Sequence, residues 1–164
     1  MKTKFLLAAK LLLTVLILCT LLFTFYQSAL PKEESGEVSD NVSEKLEPII
    51  PSDTPTGEFV HTNIRKIAHV VEFGTLGFFV SLLVILLMLD IPSMSARVHL
   101  LIYTYMIAPV TALIDETIQI FSGRGPMISD LWLDVLGFVT VATSVFLIYL
   151  AALLILRLLK RRSV

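Results

Sequence analysis

Residues 65–73 read Arg65-Lys66-Ile67-Ala68-His69-Val70-Val71-Glu72-Phe73, and residues 115–124 read Asp115-Glu116-Thr117-Ile118-Gln119-Ile120-Phe121-Ser122-Gly123-Arg124. Both stretches lie in or at the mouth of apolar runs long enough to cross a bilayer, about Ile67 to Leu89 and about Val98 to Phe121. A charged side chain at the centre of an isolated membrane helix costs roughly 3 kcal/mol on insertion scales. Charges placed there are therefore paired, hydrated or used for function. They predict helices that turn polar groups toward one another.

Two further apolar runs complete the pattern, Phe5 to Tyr26, broken only by Lys10, and Leu131 to Leu156. Each has about the 20 residues that a helix needs to span the hydrocarbon layer. Lys10 can snorkel toward the nearer interface. The connectors Asp90 to Ser95 and Ser122 to Ser129 are short, which makes consecutive helices antiparallel neighbours. Composition agrees: 55% of residues are hydrophobic and 16% charged, against about a quarter charged in soluble domains. The predicted fold is an all-α, integral membrane four-helix bundle.

The chain divides into an N-terminal anchor helix (1–27), an acidic extracytoplasmic loop (28–63) and a three-helix membrane domain (64–160). The first run is longer than the apolar core of a cleavable signal peptide, about 7 to 15 residues, and Gln27-Ser28-Ala29-Leu30-Pro31 is a poor cleavage site. It reads as an uncleaved anchor. Between Pro31 and Val60, Glu33, Glu34, Glu37, Asp40, Glu44, Glu47, Asp53 and Glu58 stand against Lys32 and Lys45. So little apolar surface cannot offset the entropy of ordering, and the segment reads as a flexible solvated spacer with a short amphipathic turn around Val42 to Ile50. Cys19, the one cysteine, excludes an internal disulfide and a cysteine metal cluster, and reads as an ordinary buried cysteine. No basic tract is interleaved with aromatics, so nucleic acid is not an expected partner.

Lysine and arginine placement sets the expected orientation. With both termini cytoplasmic, the inner side holds Lys2, Lys4, Lys10, Arg97, Arg157, Lys160, Arg161 and Arg162, and the outer side Lys32, Lys45, Arg65, Lys66 and Arg124. At 1.5 Å per residue His69 and Glu72 then lie roughly 6 and 10 Å inward from Arg65. Asp115 and Glu116 lie roughly 8 to 9 Å inward from Phe121, and Asp134 about 7 Å below Ser129. Three helices thus carry their acids at one depth. Arg65, His69 and Glu72 follow i, i+4, i+7 spacing, and Asp115 with Gln119 and Asp130 with Asp134 are i, i+4 pairs, so each set forms one stripe. Together they predict a polar pocket opening outward.

Several of these residues have plainer readings. Arg65, Lys66 and Arg124 also suit interface anchors, and Asp130 beside Ser129 suits the free N–H groups at a helix start. Tyr103, Tyr105 and Trp132 read as lipid-facing or interfacial anchors, and Pro109 as a kink. His69, Glu72, Asp115 and Glu116 lie below the interface and have no such reading.

At these residues the sequence resembles the VanZ-like family of bacterial membrane proteins. Arg65, Lys66, His69, Glu72 and Phe73 match its Arg-Lys-x-x-His-x-x-Glu-Phe stretch. Asp115, Glu116, Gln119 and Phe121 match Asp-Glu-x-x-Gln-x-Phe, and Arg124, Asp130 and Gly137 fit the following arginine and Asp-x-x-x-Asn-x-x-Gly. Asp134 stands where the pattern has asparagine; an ionised aspartate only accepts hydrogen bonds, whereas the amide also donates. The resemblance runs from Arg65 into the fourth helix. It implies a multi-pass protein of a bacterial cell membrane, and its founding member is associated with teicoplanin resistance, a phenotype and not a reaction.

Two functional classes remain at this stage. One is an envelope-modifying enzyme acting on a lipid-linked wall precursor, with His69 and Glu72 as an acid/base pair and Asp115 and Glu116 as a second carboxylate pair. Arg65, Lys66, Gln119, Arg124, Asp130 and Asp134 would bind substrate, the arginines holding phosphate or carboxylate. The carboxylates equally suit a divalent cation such as Mg²⁺ or Ca²⁺. No nucleophile elbow, HExxH or glycine-rich phosphate loop is present. The other class is a non-catalytic protein that binds a glycopeptide, a lipid head group or a partner, or whose charged layer is a structural ion-pair network. The acids outnumber Arg65, Lys66 and Arg124 in that layer, which leans toward a bound cation, a protonated acid or a ligand.

Overall fold

In the computed structural model of the chain, residues 2–162 are described, and they form six helices and no strand. Four of these are long and apolar enough to cross a membrane: α1 (Lys2–Ala29), α4 (Ile64–Met88), α5 (Met94–Phe121) and α6 (Ile128–Arg162). Two shorter helices, α2 (Lys32–Leu46) and α3 (Pro55–Thr62), lie between the first two spans. α4 packs on both α1 and α6, and α5 also touches all three other spans. The apolar core is Phe73, Leu76, Val80 and Val84 of α4, Ala108 and Ala112 of α5, and Phe138 and Ala142 of α6.

Small residues set the distance between α4 and α6. A β-carbon on Gly77 would lie 2.6 Å from the Phe138 carbonyl oxygen, and one on Gly137 would lie 2.6 Å from that of Val70. Where lipid tails are as apolar as the side chains, such backbone approach supplies the packing that holds two helices together. It also brings His69 of α4 to Asp134 of α6.

Residues 28–63 correct the sequence reading. The expected flexible loop contains α2 and α3, and α2 reaches well beyond the short turn expected at Val42 to Ile50. Glu33 and Glu34 occupy the first turn of α2 and Lys45 its last, each at the helix end of opposite partial charge. The weak stripe Ser35, Val38, Ser39 and Val42 faces the bundle. α3 is started by Thr54, whose hydroxyl accepts from Gly57 N–H at 3.0 Å, with Pro55 in the first turn. His61 ties the two helices together, bonding Ser43 and meeting the Ile50 carbonyl at 2.8 Å.

Three smaller expectations also change. Cys19 is exposed on the outer face of α1 rather than buried. Lys10 bonds the Asp90 carboxylate beyond the end of α4. Tyr103 and Trp132 do face outward, but Tyr105 packs into the α5–α6 seam, its hydroxyl 2.9 Å from that of Thr143 and its ring 6.3 Å from Phe146. Tyr105→Phe should therefore lower the detergent melting temperature by a few degrees, the loss of one hydrogen bond worth about 1 kcal/mol. Tyr103→Phe, the comparison, should leave it unchanged.

Candidate functional site

The site occupies the end of the bundle where α1 and α5 finish and α4 and α6 begin. A short turn makes that end. Gly123 and Gly125 adopt φ of 73° and 72°, the left-handed region that glycine enters without steric cost, and they flank Arg124. The turn then reaches across to α1: Arg124 donates to the Gln27 carbonyl at 2.8 Å and the Ser122 hydroxyl to the Ser28 carbonyl at 2.9 Å. Carbonyls at a helix C-terminus have no partner within their own helix. Here two of those of α1 are satisfied by the α5–α6 turn, which fixes α1 against the site.

Inside this end, polar side chains from all four spanning helices form one connected network. His69 Nδ1 lies 2.9 Å from Asp134 Oδ1 and 4.0 Å from Asp115 Oδ2. Asp115 accepts from the Ser28 hydroxyl at 2.6 Å and from the Gln119 amide at 2.8 Å. The same amide lies 3.3 Å from Glu116 Oε1, whose other oxygen accepts the Met127 N–H at 2.8 Å. Gln119 Oε1 in turn accepts from Arg65 at 3.1 Å. Asp115 and Asp134 are 0% exposed, and His69, Glu116 and Gln119 are buried with them.

Beside the network lies a cavity of about 310 Å³. Its floor is polar, made by Arg65, His69 and Glu72 of α4 with Arg124 from the turn. Its walls are largely apolar, from Phe23 of α1 and Ile67 and Val71 of α4, and the α2 stripe roofs it. The two arginines are neighbours: burial, then the Arg65 charge, pulls Arg124 below its ordinary pKa. Among the described residues neither has a carboxylate within 4.0 Å. The Nε of each is buried without a hydrogen-bond partner.

Of the residues singled out in the sequence, His69, Asp115, Asp134, Glu116, Gln119 and Arg65 share the network, while Glu72 and Arg124 stand on the cavity. Asp130 is buried at the start of α6, accepting from the Ser129 hydroxyl at 3.1 Å. Lys66 is exposed and outside both network and cavity. Sequence reasoning missed Ser28 and Thr24, buried on α1, the first holding Asp115 and the second beside Glu72. Their signal was i, i+4 hydroxyl spacing at the end of an apolar run.

The sequence profile of the family described as VanZ/LLP1 matches residues 12–152. The chain belongs to this family. The match takes in α1 and the acidic helices as well as the motif-bearing spans, in keeping with a site to which α1 contributes Ser28 and α2 a roof. The chain is thus a VanZ/LLP1 protein with four candidate membrane spans. Comparison with curated proteins and with solved structures returns no match.

Proposed function

We propose that this VanZ/LLP1 protein binds the anionic head group of a lipid-linked envelope component in the cavity between α1, α2 and α4. One observation carries the reading: two guanidinium groups line an apolar-walled cavity, and among the described residues neither has a carboxylate within 4.0 Å. Arginine holds phosphate and carboxylate through charge-assisted, often bidentate hydrogen bonds. Apolar walls beside the cations suit a ligand whose head is charged and whose tail is not.

In this proposal the site end faces outward from a bacterial cell membrane, with both termini cytoplasmic. Lys4, Arg97, Arg157, Lys160 and Arg161 support it, since they gather at the opposite end. His69 and Glu72 are the cavity groups able to carry a proton, and Asp115 and Glu116, turned into the network, orient Gln119 and through it Arg65. Whether the head group is bound or also modified, resistance to a glycopeptide such as teicoplanin would follow only if the ligand is a wall precursor.

The test uses protein in lipid nanodiscs with a polyprenyl phosphate and the uncharged polyprenol as probes, binding being read by native mass spectrometry. The phosphate should bind and the alcohol should not. Arg65→Ala with Arg124→Ala should weaken phosphate binding by at least about tenfold, since hydrogen bonds to charged groups contribute about 1.5–3 kcal/mol. Equal binding of the two probes, or no change in the double variant, would remove the proposal. A second reading, a structural network, is favoured by Gln119, which bridges Asp115, Glu116 and Arg65. It would prevail if the double variant lost its fold and the intact protein bound neither probe.

A further inference from the structure

We infer that His69, Asp115 and Asp134 form a binding site for a divalent transition-metal ion of the zinc class, beside the anion cavity and sharing His69 with it. One donor atom from each residue lies within 4.8 Å of the others, and all three residues are buried. Two donors about 2.0 Å from a tetrahedral ion are roughly 3.3 Å apart, and trans donors of an octahedral ion about 4 Å apart. The His69 distances of 2.9 Å to Asp134 and 4.0 Å to Asp115 bracket these values.

Two observations separate this cluster from a closed hydrogen-bond network. Among the described residues Asp134 Oδ2 is buried without a hydrogen-bond partner, although the other Asp134 oxygen and both Asp115 oxygens have one. Buried polar atoms left without a partner are rare in folded proteins and call for an explanation. Charge gives the second. Among the described residues His69 is the one basic side chain within 4.0 Å of either carboxylate, so no lysine or arginine offsets the pair. A divalent ion with neutral imidazole balances both carboxylates.

The donor set indicates the class of ion. Mg²⁺ and Ca²⁺ take oxygen ligands, whereas imidazole with carboxylate suits zinc and its first-row neighbours. An ion bound there would take the place of the contact between Nδ1 and Asp134. The cavity supplies an access route, because His69 lines it, and three protein ligands leave a fourth position open for water or an anion.

The experiment measures zinc and cobalt on the purified full-length chain in detergent. Dialysed protein should retain about one zinc per chain, and cobalt should give a visible ligand-field band that zinc abolishes. Asp134→Asn keeps the side-chain shape and should weaken zinc binding by more than about tenfold, while Tyr105→Phe should keep it. The inference is overturned if the intact protein takes up neither ion, or if Asp134→Asn binds zinc as tightly as the intact chain. Should that variant fail to fold, the cobalt band decides alone: present it supports the site, absent it overturns it.

Discussion

Valine in place of Gly137 should drive α4 and α6 apart and dismantle the site without touching a polar residue. A β-carbon there would meet the Val70 carbonyl oxygen at 2.6 Å and its Cα at 3.1 Å, and backbone atoms cannot turn aside as a side chain can. Overpacking a tight core costs about 1–3 kcal/mol and more where backbones must move. With backbone on both sides the upper figure of about 3 kcal/mol applies, and at roughly 2–4 °C per kcal/mol for a chain of this size the melting temperature should fall by about 6–12 °C. Trp132 lies in α6 and its fluorescence can report the melt. Gly77→Val should behave alike, because its β-carbon meets the Phe138 carbonyl at 2.6 Å. Gly74→Ala is the comparison: its β-carbon meets the Val141 Cγ2 methyl at 3.1 Å, a side-chain atom that can give. Gly137→Val and Gly74→Ala melting together would mean that close backbone approach does not hold α4 to α6.

That contact also marks the limit of what the sequence could reveal. Apolar run length was enough for four spanning helices, and helical rise was enough to put His69, Asp115 and Asp134 at one depth. Periodicity places a residue on a face of its own helix; it does not say which other helix that face meets or how closely. Gly77 and Gly137 decide this for α4 and α6, and their effect depends on backbone atoms of the facing helix. Lys66 shows the converse. It adjoins Arg65 in the motif, but one residue along a helix turns the side chain by about 100°, and it points away from both network and cavity.

The acidic segment was misread for a related reason. Composition alone places residues 31–60 among chains that cannot bury enough to fold. What α2 contributes is a partly exposed stripe of two valines and two serines that lines a cavity other helices have already built. Tertiary packing of one face, more than propensity, stabilises most helices, and that face has no meaning until α1 and α4 are in place. Ser28 was hidden similarly. A serine near the end of an apolar run is unremarkable until Asp115, 87 residues later in sequence, is found 2.6 Å from its hydroxyl.

Asp115→Ala should be the most damaging single change in the network. Its carboxylate is 0% exposed and accepts from Ser28 and Gln119 while standing 4.0 Å from His69. Alanine would leave the Ser28 hydroxyl and one donor of Gln119 buried without an acceptor, each about 1–3 kcal/mol. Removing one partner of a buried charged cluster typically costs about 3–5 kcal/mol, so the folded protein should lose most of its thermal stability in detergent. Such a loss alone would not show that α1 belongs to the site, since any buried aspartate could produce it. A double-mutant cycle on Ser28→Ala and Asp115→Asn isolates the contact between helices. Asparagine keeps the shape of the side chain but offers one acceptor oxygen where the carboxylate offers two. Ser28 and Gln119 must then compete for it, and the coupling should reach about 1–3 kcal/mol. Additivity within about 0.5 kcal/mol would mean that α1 docks through its apolar face and that the hydrogen bond to Asp115 adds nothing. A coupling of the expected size would make the N-terminal helix a structural member of the charged site, because its serine would then set the stability of an aspartate on α5.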